Sequence, residues 1–205
     1  LTEQAVEVAK QMIADGGYEN DRVFVIFLPD CHESLAGIVA GRIREAYHRP
    51  TLVITRGEEG AKGSGRSIEG YSMFEELNKC ADLLSSFGGH PMAAGFSLPE
   101  ENIEAFRRRL NEVCTLTEEE LQAKVVIDVP MPIGYITFPL IEQLKLLEPF
   151  GKGNDKPVFA DRNLVIERLK IYGPTGRVVQ LTLHSLSGAK VQAVYFGDPD
   201  NLRLP

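Results

Sequence analysis

The stretch "SFGGHPMAAG", Ser86 to Gly95, surrounds one imidazole with almost no side-chain volume. A glycine at the end of a helical pattern is an ordinary C-cap, because φ > 0 is cheap only for glycine; Gly88 fits that role, which explains one glycine of three. Gly89, Gly95 and the small Ala93 and Ala94 leave backbone N–H groups accessible, a surface suited to phosphate because an anion must approach amides closely. His90, as imidazolium or as the Nε2–H tautomer, can donate to a phosphate oxygen. It can equally bond a neighbouring carbonyl, and the residues alone do not choose between these. A second stretch, "AKGSGRS" (61–67), has phosphate-loop composition without the Walker order: Lys62 is followed by Gly63 and no helix pattern begins there. It reads as part of a glycine-rich surface loop over 56–70. Its chemical alternative is Arg66 forked with the Ser64 and Ser67 hydroxyls, bidentate donors for a phosphate.

Other polar residues offer less. His32 and Glu33 precede a helix without further ligands at metal spacing, His48 and His184 read as surface residues, and Arg107–Arg109 as a solvated helix face. Asp198-Pro199-Asp200 is a turn. Cys31, Cys80 and Cys114 lie far apart with no CxxC pair, which argues against a zinc ribbon or a disulfide framework and favours a reducing cytoplasm. No Ser-His-Asp or Cys-His arrangement can be assembled. Neither a catalytic apparatus nor a metal site is expected within these residues.

The elements that must position these groups are legible in part. The 205 residues are 43% hydrophobic and 25% charged, with no apolar run of membrane-spanning length. The first residue is not Met, and the chain is expected to begin inside a longer protein. The net charge of −7 excludes binding of nucleic acid by bulk electrostatics, although residues 151–205 are locally +3. Residues 2–15 predict a helix stopped at Gly16-Gly17, and "RVFVIFLP" (22–29) a buried central strand. Residues 33–48 predict a second helix and "TLVIT" (51–55) a second strand, together a βαβ crossover with parallel strands. A helix with a Ser72/Glu75 capping box carries Phe74, Leu77, Ala81 and Leu84. It is followed by a strand at 95–98 and a helix from Pro99. Then come a strand at 124–132, a helix at 138–150 and, from Pro157, a β-meander turning at 173–176 and 186–188. In that meander Val179, Leu181 and Leu183 alternate with Gln180, Thr182 and His184. The fold class is α/β: an α/β domain over 1–116, then a linker helix and a small, incomplete antiparallel barrel over 117–205.

The segment "KGSGRSIEGYSMFEELNKCADLLSSFGGHPMAAGFSLPEENIEAFRRRL" resembles the DHHA1 domain of the RecJ-type single-strand-specific exonucleases, within the DHH phosphoesterases. The block "LLEPFGKGNDKPVFA" resembles that family's entry into its OB-fold. The resemblance implies the C-terminal portion of a 5′→3′ exonuclease of DNA repair and recombination, with single-stranded DNA as substrate. Mn²⁺ or Mg²⁺ would be bound by an N-terminal DHH domain, and residues 1–15 would end the connecting helix. Lys62, Ser64, Arg66, Ser67, Gly88, Gly89, His90, Ala93, Ala94 and Gly95 would hold the DNA backbone, with His90 as a possible aid to the transition state. Such a portion alone would cleave nothing. Cys31-His32-Glu33-Ser34 departs from the family's aromatic-His-Pro-Gly run, matching only at His32. The alternatives are a phosphodiesterase of short oligonucleotides or cyclic dinucleotides, which stops after DHHA1, and a non-catalytic single-strand-binding module.

Overall fold

Alternate residues of the apolar run at 23–28 go to opposite faces, as the two-residue period of a strand requires. Val23 and Val25 join one buried cluster, and Phe24, Ile26 and Leu28 another. The computed structural model describes residues 2–57, 60–151, 153–173, 176–197, 199 and 202. These fall into two units, residues 1–124 and 125–205.

In the first unit, α1 (Thr2–Asp15) buries Ala9 and Ile13 and ends at Gly17, whose φ of +69° suits glycine. The strand β1 (Phe24–Phe27) pairs in parallel with β2 (Thr51–Gly57) through the crossover helix α2 (Glu33–Tyr47), the expected βαβ unit. Three antiparallel pairings extend the sheet through β3 (Gly60–Arg66), β4 (Ser86–His90) and β5 (Ala93–Leu98), in the order β1-β2-β3-β5-β4. β1 therefore stands at the end of the sheet, not at its centre. Its apolarity comes from burial on both faces, and side chains satisfy its outer backbone. Asn111 Oδ1 accepts from the N–H groups of Arg22 and Val23 at 2.8 and 3.0 Å, and the Tyr18 hydroxyl donates to the Val25 carbonyl at 3.1 Å.

One face of the sheet carries α1 and α2 over Phe24, Ile26 and Val53. The other carries α3 (Met73–Asn78) and α4 (Ile103–Val113) over Leu52, Ile54, Ala61, Phe96 and Leu98. The helix at 72 is shorter than its pattern: it stops at Asn78, a 3₁₀ turn covers Ala81–Leu83, and Ser72 makes no side-chain cap. Within the expected solvated arginine face, Arg107 is bound down. Its Nε donates to Asp21 Oδ2 at 2.7 Å, its Nη2 to the Gly17 carbonyl at 2.9 Å, and its guanidinium lies 3.7 Å over the Tyr18 ring.

The second unit contains β6 (Val129–Pro130), paired in parallel with β7 (Phe159–Ala160), and α5 (Phe138–Leu144), capped by Thr137. The strand expected over 124–132 is thus reduced to two residues, and the helix expected to 150 ends at Leu144 with a 3₁₀ turn behind it. The meander forms as expected: β8 (Val165–Tyr172), β9 (Val178–His184) and β10 (Lys190–Phe196) are consecutive antiparallel neighbours. Val179 and Leu181 are buried. The three strands do not close into a barrel among the described residues. Gly176 N–H donates to Gly173 O at 3.1 Å across the first turn. Pro174 and Thr175 of that turn, and Asp198 and Asp200 of the turn expected at Asp198-Pro199-Asp200, lie outside the described residues. Among the described residues no helix is long and apolar enough to cross a membrane.

Candidate nucleic-acid interface

The glycine-rich segment expected to be a loop is the middle of the sheet. β3 pairs with β2 on one side and β5 on the other, so Ala61, Gly63 and Gly65 face one way and Lys62, Ser64 and Arg66 the other. Glycine-rich composition reads as loop because glycine is a poor strand former, yet two of these glycines are seats for core side chains. A Cβ on Gly63 would stand 2.1 Å from the Phe96 ring, and one on Gly65 2.9 Å from Met73 Sδ. The "SFGGH" segment is likewise a strand, so Gly88 is not a helix cap.

Register then assembles the site. Arg66 lies opposite Ala93, which lies opposite His90; Ser64 lies opposite Gly95, which lies opposite Gly88; Lys62 lies opposite Ser97, which lies opposite Ser86. Directly opposed residues in antiparallel pairs share a face. These three rows therefore form one surface, with about 7 Å between rows along the strands and about 10 Å from β3 to β4. α2 covers this face over β2 and β3 and stops short of β5 and β4, leaving Ser86, Gly88, His90 and Gly95 exposed. Between the N-terminal turn of α2 and the strands runs a groove of about 420 Å³, lined by Glu33, Ser34, Lys62, Ser64, Gly95 and neighbours.

Gly88 and Gly95 differ from the seated glycines. Nothing lies within 4 Å of a Cβ built on Gly88, and only the Gly63 carbonyl, at 4.0 Å, near one on Gly95. Both could carry a side chain in this chain as folded, so packing does not account for their bareness. Gly89 is held for a different reason: its φ is +153° and a Cβ would meet Ala94 Cα at 2.5 Å.

The polar groups around the bare rows are fixed. Arg66 Nη1 donates to Ser64 Oγ at 3.1 Å and to the Gly65 carbonyl at 2.8 Å. The guanidinium lies where a Cβ on Gly37 of α2 would be, 2.5 Å from Nη2. His90 Nδ1 accepts from the Met92 N–H at 3.3 Å, which in the neutral ring leaves the proton on Nε2, a donor directed at solvent. Lys62 Nζ meets Glu33 Oε2 at 2.9 Å.

Two residues expected in the site are elsewhere. Ser67 is buried and its hydroxyl donates to the Tyr71 carbonyl at 2.6 Å, which removes it from the Arg66 fork. Ala94 is buried on the opposite face in the core. Gly37, Ser86 and Ser97 are not marked by sequence, and Glu33 is considered there only as a metal ligand without partners. For Gly37 the signal is a glycine inside a helix, a costly choice that α2 makes a second time at Gly41, where nothing lies within 4 Å of a Cβ. His32 caps α2, accepting at Nδ1 from Ser34 N–H at 3.2 Å. A separate apolar cleft of about 370 Å³, lined by Val8, Met12, Phe27, Leu28 and Leu35, carries no lysine or arginine. Among the described residues no group of three or more His, Cys, Asp or Glu side chains could hold a metal. Among the described residues the groove has a single carboxylate, Glu33, which pairs with Lys62, and one carboxylate does not make a donor set for a divalent ion.

Known protein families and structures match most of the chain. The DHHA1 domain family matches residues 20–116 and the RecJ OB domain family residues 127–204. The chain is 36% identical over 191 residues to the single-stranded-DNA-specific exonuclease RecJ of Bacillus subtilis, covering 91% of this chain and 24% of that protein. It is 36% identical over 141 residues to the Escherichia coli protein of the same name, covering 65% of this chain and 24% of that one. The crystal structure of RecJ from Thermus thermophilus in complex with Mn²⁺ superposes with a TM-score of 0.73 at 29% identity, over 100% of this chain and 30% of that one. The Mg²⁺ complex gives 0.72 at 28%, over 100% and 31%. The chain thus spans about a quarter of the length of the curated relatives it matches.

Proposed function

This chain belongs to the RecJ family through its DHHA1 and RecJ OB domains, and from that premise we propose that it is the substrate-holding C-terminal portion of a 5′→3′ exonuclease of single-stranded DNA. The observation that carries the reading is the pair Gly88 and Gly95, bare without a packing reason and set in the row beside that of Arg66, Ala93 and His90. A sugar–phosphate backbone needs such a surface: a low peptide shelf for close approach, a guanidinium for a phosphate, and an imidazole N–H across the shelf. Divalent metal, present in the Thermus structures, would be held by a DHH domain N-terminal to these residues and would supply the activated water. Arg66, Ser64 and His90 would orient the backbone toward it, with Lys62 adding charge in the next row. In a folded chain the His90 Nε2–H could also donate to charge developing on a phosphate oxygen. The three free cysteines accord with a cytoplasmic protein.

The test is fluorescence anisotropy with a 5′-labelled dT15, alongside a nuclease assay with Mn²⁺. Weak binding is expected, with Kd on the order of 10⁻⁴ to 10⁻⁶ M, and no hydrolysis. Arg66→Ala and His90→Ala should each loosen binding about 5- to 20-fold, the loss of a charge-assisted hydrogen bond. Unchanged affinity in both variants would remove the assignment. Metal-dependent cleavage by the purified chain would overturn the division of labour, and preference for a dinucleotide over dT15 would favour the phosphodiesterase alternative.

A further inference from the structure

Ser67 follows Arg66 in sequence, yet its hydroxyl is turned away from the phosphate surface. The residue is 1% exposed, and Oγ donates to the Tyr71 carbonyl at 2.6 Å. That bond closes the segment between the end of β3 and the start of α3 into a loop, which Ile68, Tyr71 and Met73 anchor in the core. The loop in turn presents two backbone donors to the turn between β4 and β5. Ser67 N–H donates to the Met92 carbonyl and Met73 N–H to the Pro91 carbonyl, each at 2.9 Å. Met92 N–H then donates to His90 Nδ1 at 3.3 Å. A connected set of hydrogen bonds and backbone therefore runs from a buried hydroxyl to an exposed imidazole.

The sheet by itself does not fix this ring. His90 is the last residue of β4 and Ala93 the first of β5, so the ladder between them ends at the imidazole. Rotation of a histidine ring about χ2 is broad, and a bond at Nδ1 selects both its orientation and its tautomer. Pro91 has no N–H to give, which leaves Met92 as the donor inside the turn. Resting on the reading of His90 as a donor to a backbone phosphate, we propose that Ser67 is a positioning residue for that ring. It does not touch the strand; it holds the Pro91–Met92 turn so that Met92 N–H stays on Nδ1 and the proton stays on Nε2. Because Ser67 is also the chain neighbour of Arg66, one buried residue ties the guanidinium and the imidazole of the same row to each other. With the hydroxyl removed, the loop no longer holds the turn in place, and the ring populates the Nδ1–H tautomer, whose bare Nε2 repels a phosphate oxygen. A role confined to holding the loop together would lower the melting temperature and leave the tautomer unchanged.

The experiment reads the ring and the strand separately, on this chain as wild type, Ser67→Ala, His90→Ala and the double variant, with thermal melting to establish that each is folded. Should Ser67→Ala melt early, Ser67→Cys, of similar size but a weaker donor, takes its place. Nitrogen-15 NMR of the neutral imidazoles, with the His90 signals identified by their loss in His90→Ala, is expected to show the Nε2–H tautomer in wild type and a mixture in Ser67→Ala. Exchange of the Met92 amide should quicken about tenfold in the same variant. Ser67→Ala should bind 5′-labelled dT15 about 3- to 10-fold more weakly than wild type, with no further loss when it is added to His90→Ala. A wild-type tautomer and wild-type Met92 exchange in folded Ser67→Ala overturns the proposal. Equal losses of affinity with and without His90 also overturn it, because that is a general loosening of the unit. His90→Ala as tight as wild type, while Arg66→Ala is weaker, overturns it and leaves the groove resting on Arg66. Failure of wild type to bind, or both variants as tight as wild type, removes the groove reading and the positioning role with it.

Discussion

Gly88 and Gly95 stand in one row of the sheet with open space where their Cβ atoms would be, while Gly63, on the neighbouring strand, is pinned by the Phe96 ring. Composition alone treats these residues alike; the structure separates them into shelf and seat, and mutation should do the same. Gly88→Val and Gly95→Val should melt at or slightly above the wild-type temperature, because valine favours strands and meets no close neighbour. They should nonetheless lose single-strand binding by roughly tenfold as the shelf fills. Gly63→Ala should do the reverse, costing about 1–3 kcal/mol of stability by overpacking. Differential scanning fluorimetry alongside dT15 anisotropy checks both, and a Gly95→Val variant that melts early would show that its bareness serves the fold.

At the scale of elements, α2 does two jobs that its sequence hides. It buries Ala36, Val39, Ala40 and Ile43 against the sheet, which the 3.6-residue period announces. It also carries Gly37, which makes room for the Arg66 guanidinium and which no periodicity explains. Glycine inside a helix costs about 1 kcal/mol relative to alanine. Gly37→Ala should therefore leave the melting temperature equal or higher, because the clash is with the mobile end of a side chain, while loosening dT15 binding as Arg66 is pushed out. A melting temperature lowered by several degrees would mean that Gly37 is needed for packing. β3 is the converse case. Its lysine, serine and arginine alternate with small residues in clean strand period, yet its glycines make it look like a loop. Only pairing with β2 and β5 explains why such a weak strand former is held extended.

For the whole molecule, the charge and thiol chemistry set the conditions of use. With a net charge of −7, the proposed binding would depend on the few cations of the groove, so its fall with salt should be shallow, a log–log slope of about −0.7 per phosphate contacted. Burial pushes the Cys80 thiol from the ordinary 9.0 up to about 11, and burial also raises Cys114, Tyr18 and Tyr71. A group whose folded pKa is raised takes up protons more readily folded than unfolded. Its contribution is whole below the unfolded value and is lost as pH climbs through the folded one. Stability should accordingly hold to about pH 9 and decline between 9 and 11, followed by urea denaturation across that range. A midpoint unchanged to pH 11 would show these groups to be more solvated than their burial indicates.

Sequence by itself determined the crossover of β1, α2 and β2, the meander of the second unit and the two motif segments, because apolar periods of 2 and 3.6 residues and glycine–histidine spacing are local properties. It also carried the family likeness. Tertiary structure alone decided which motif residues share a surface. A strand's side chains alternate whatever it pairs with, but register between β3, β5 and β4 depends on contacts distant in sequence. That register set Arg66, Ala93 and His90 in one row and sent Ala94 into the core, while the turn after β3 carried Ser67 into a buried bond with Tyr71.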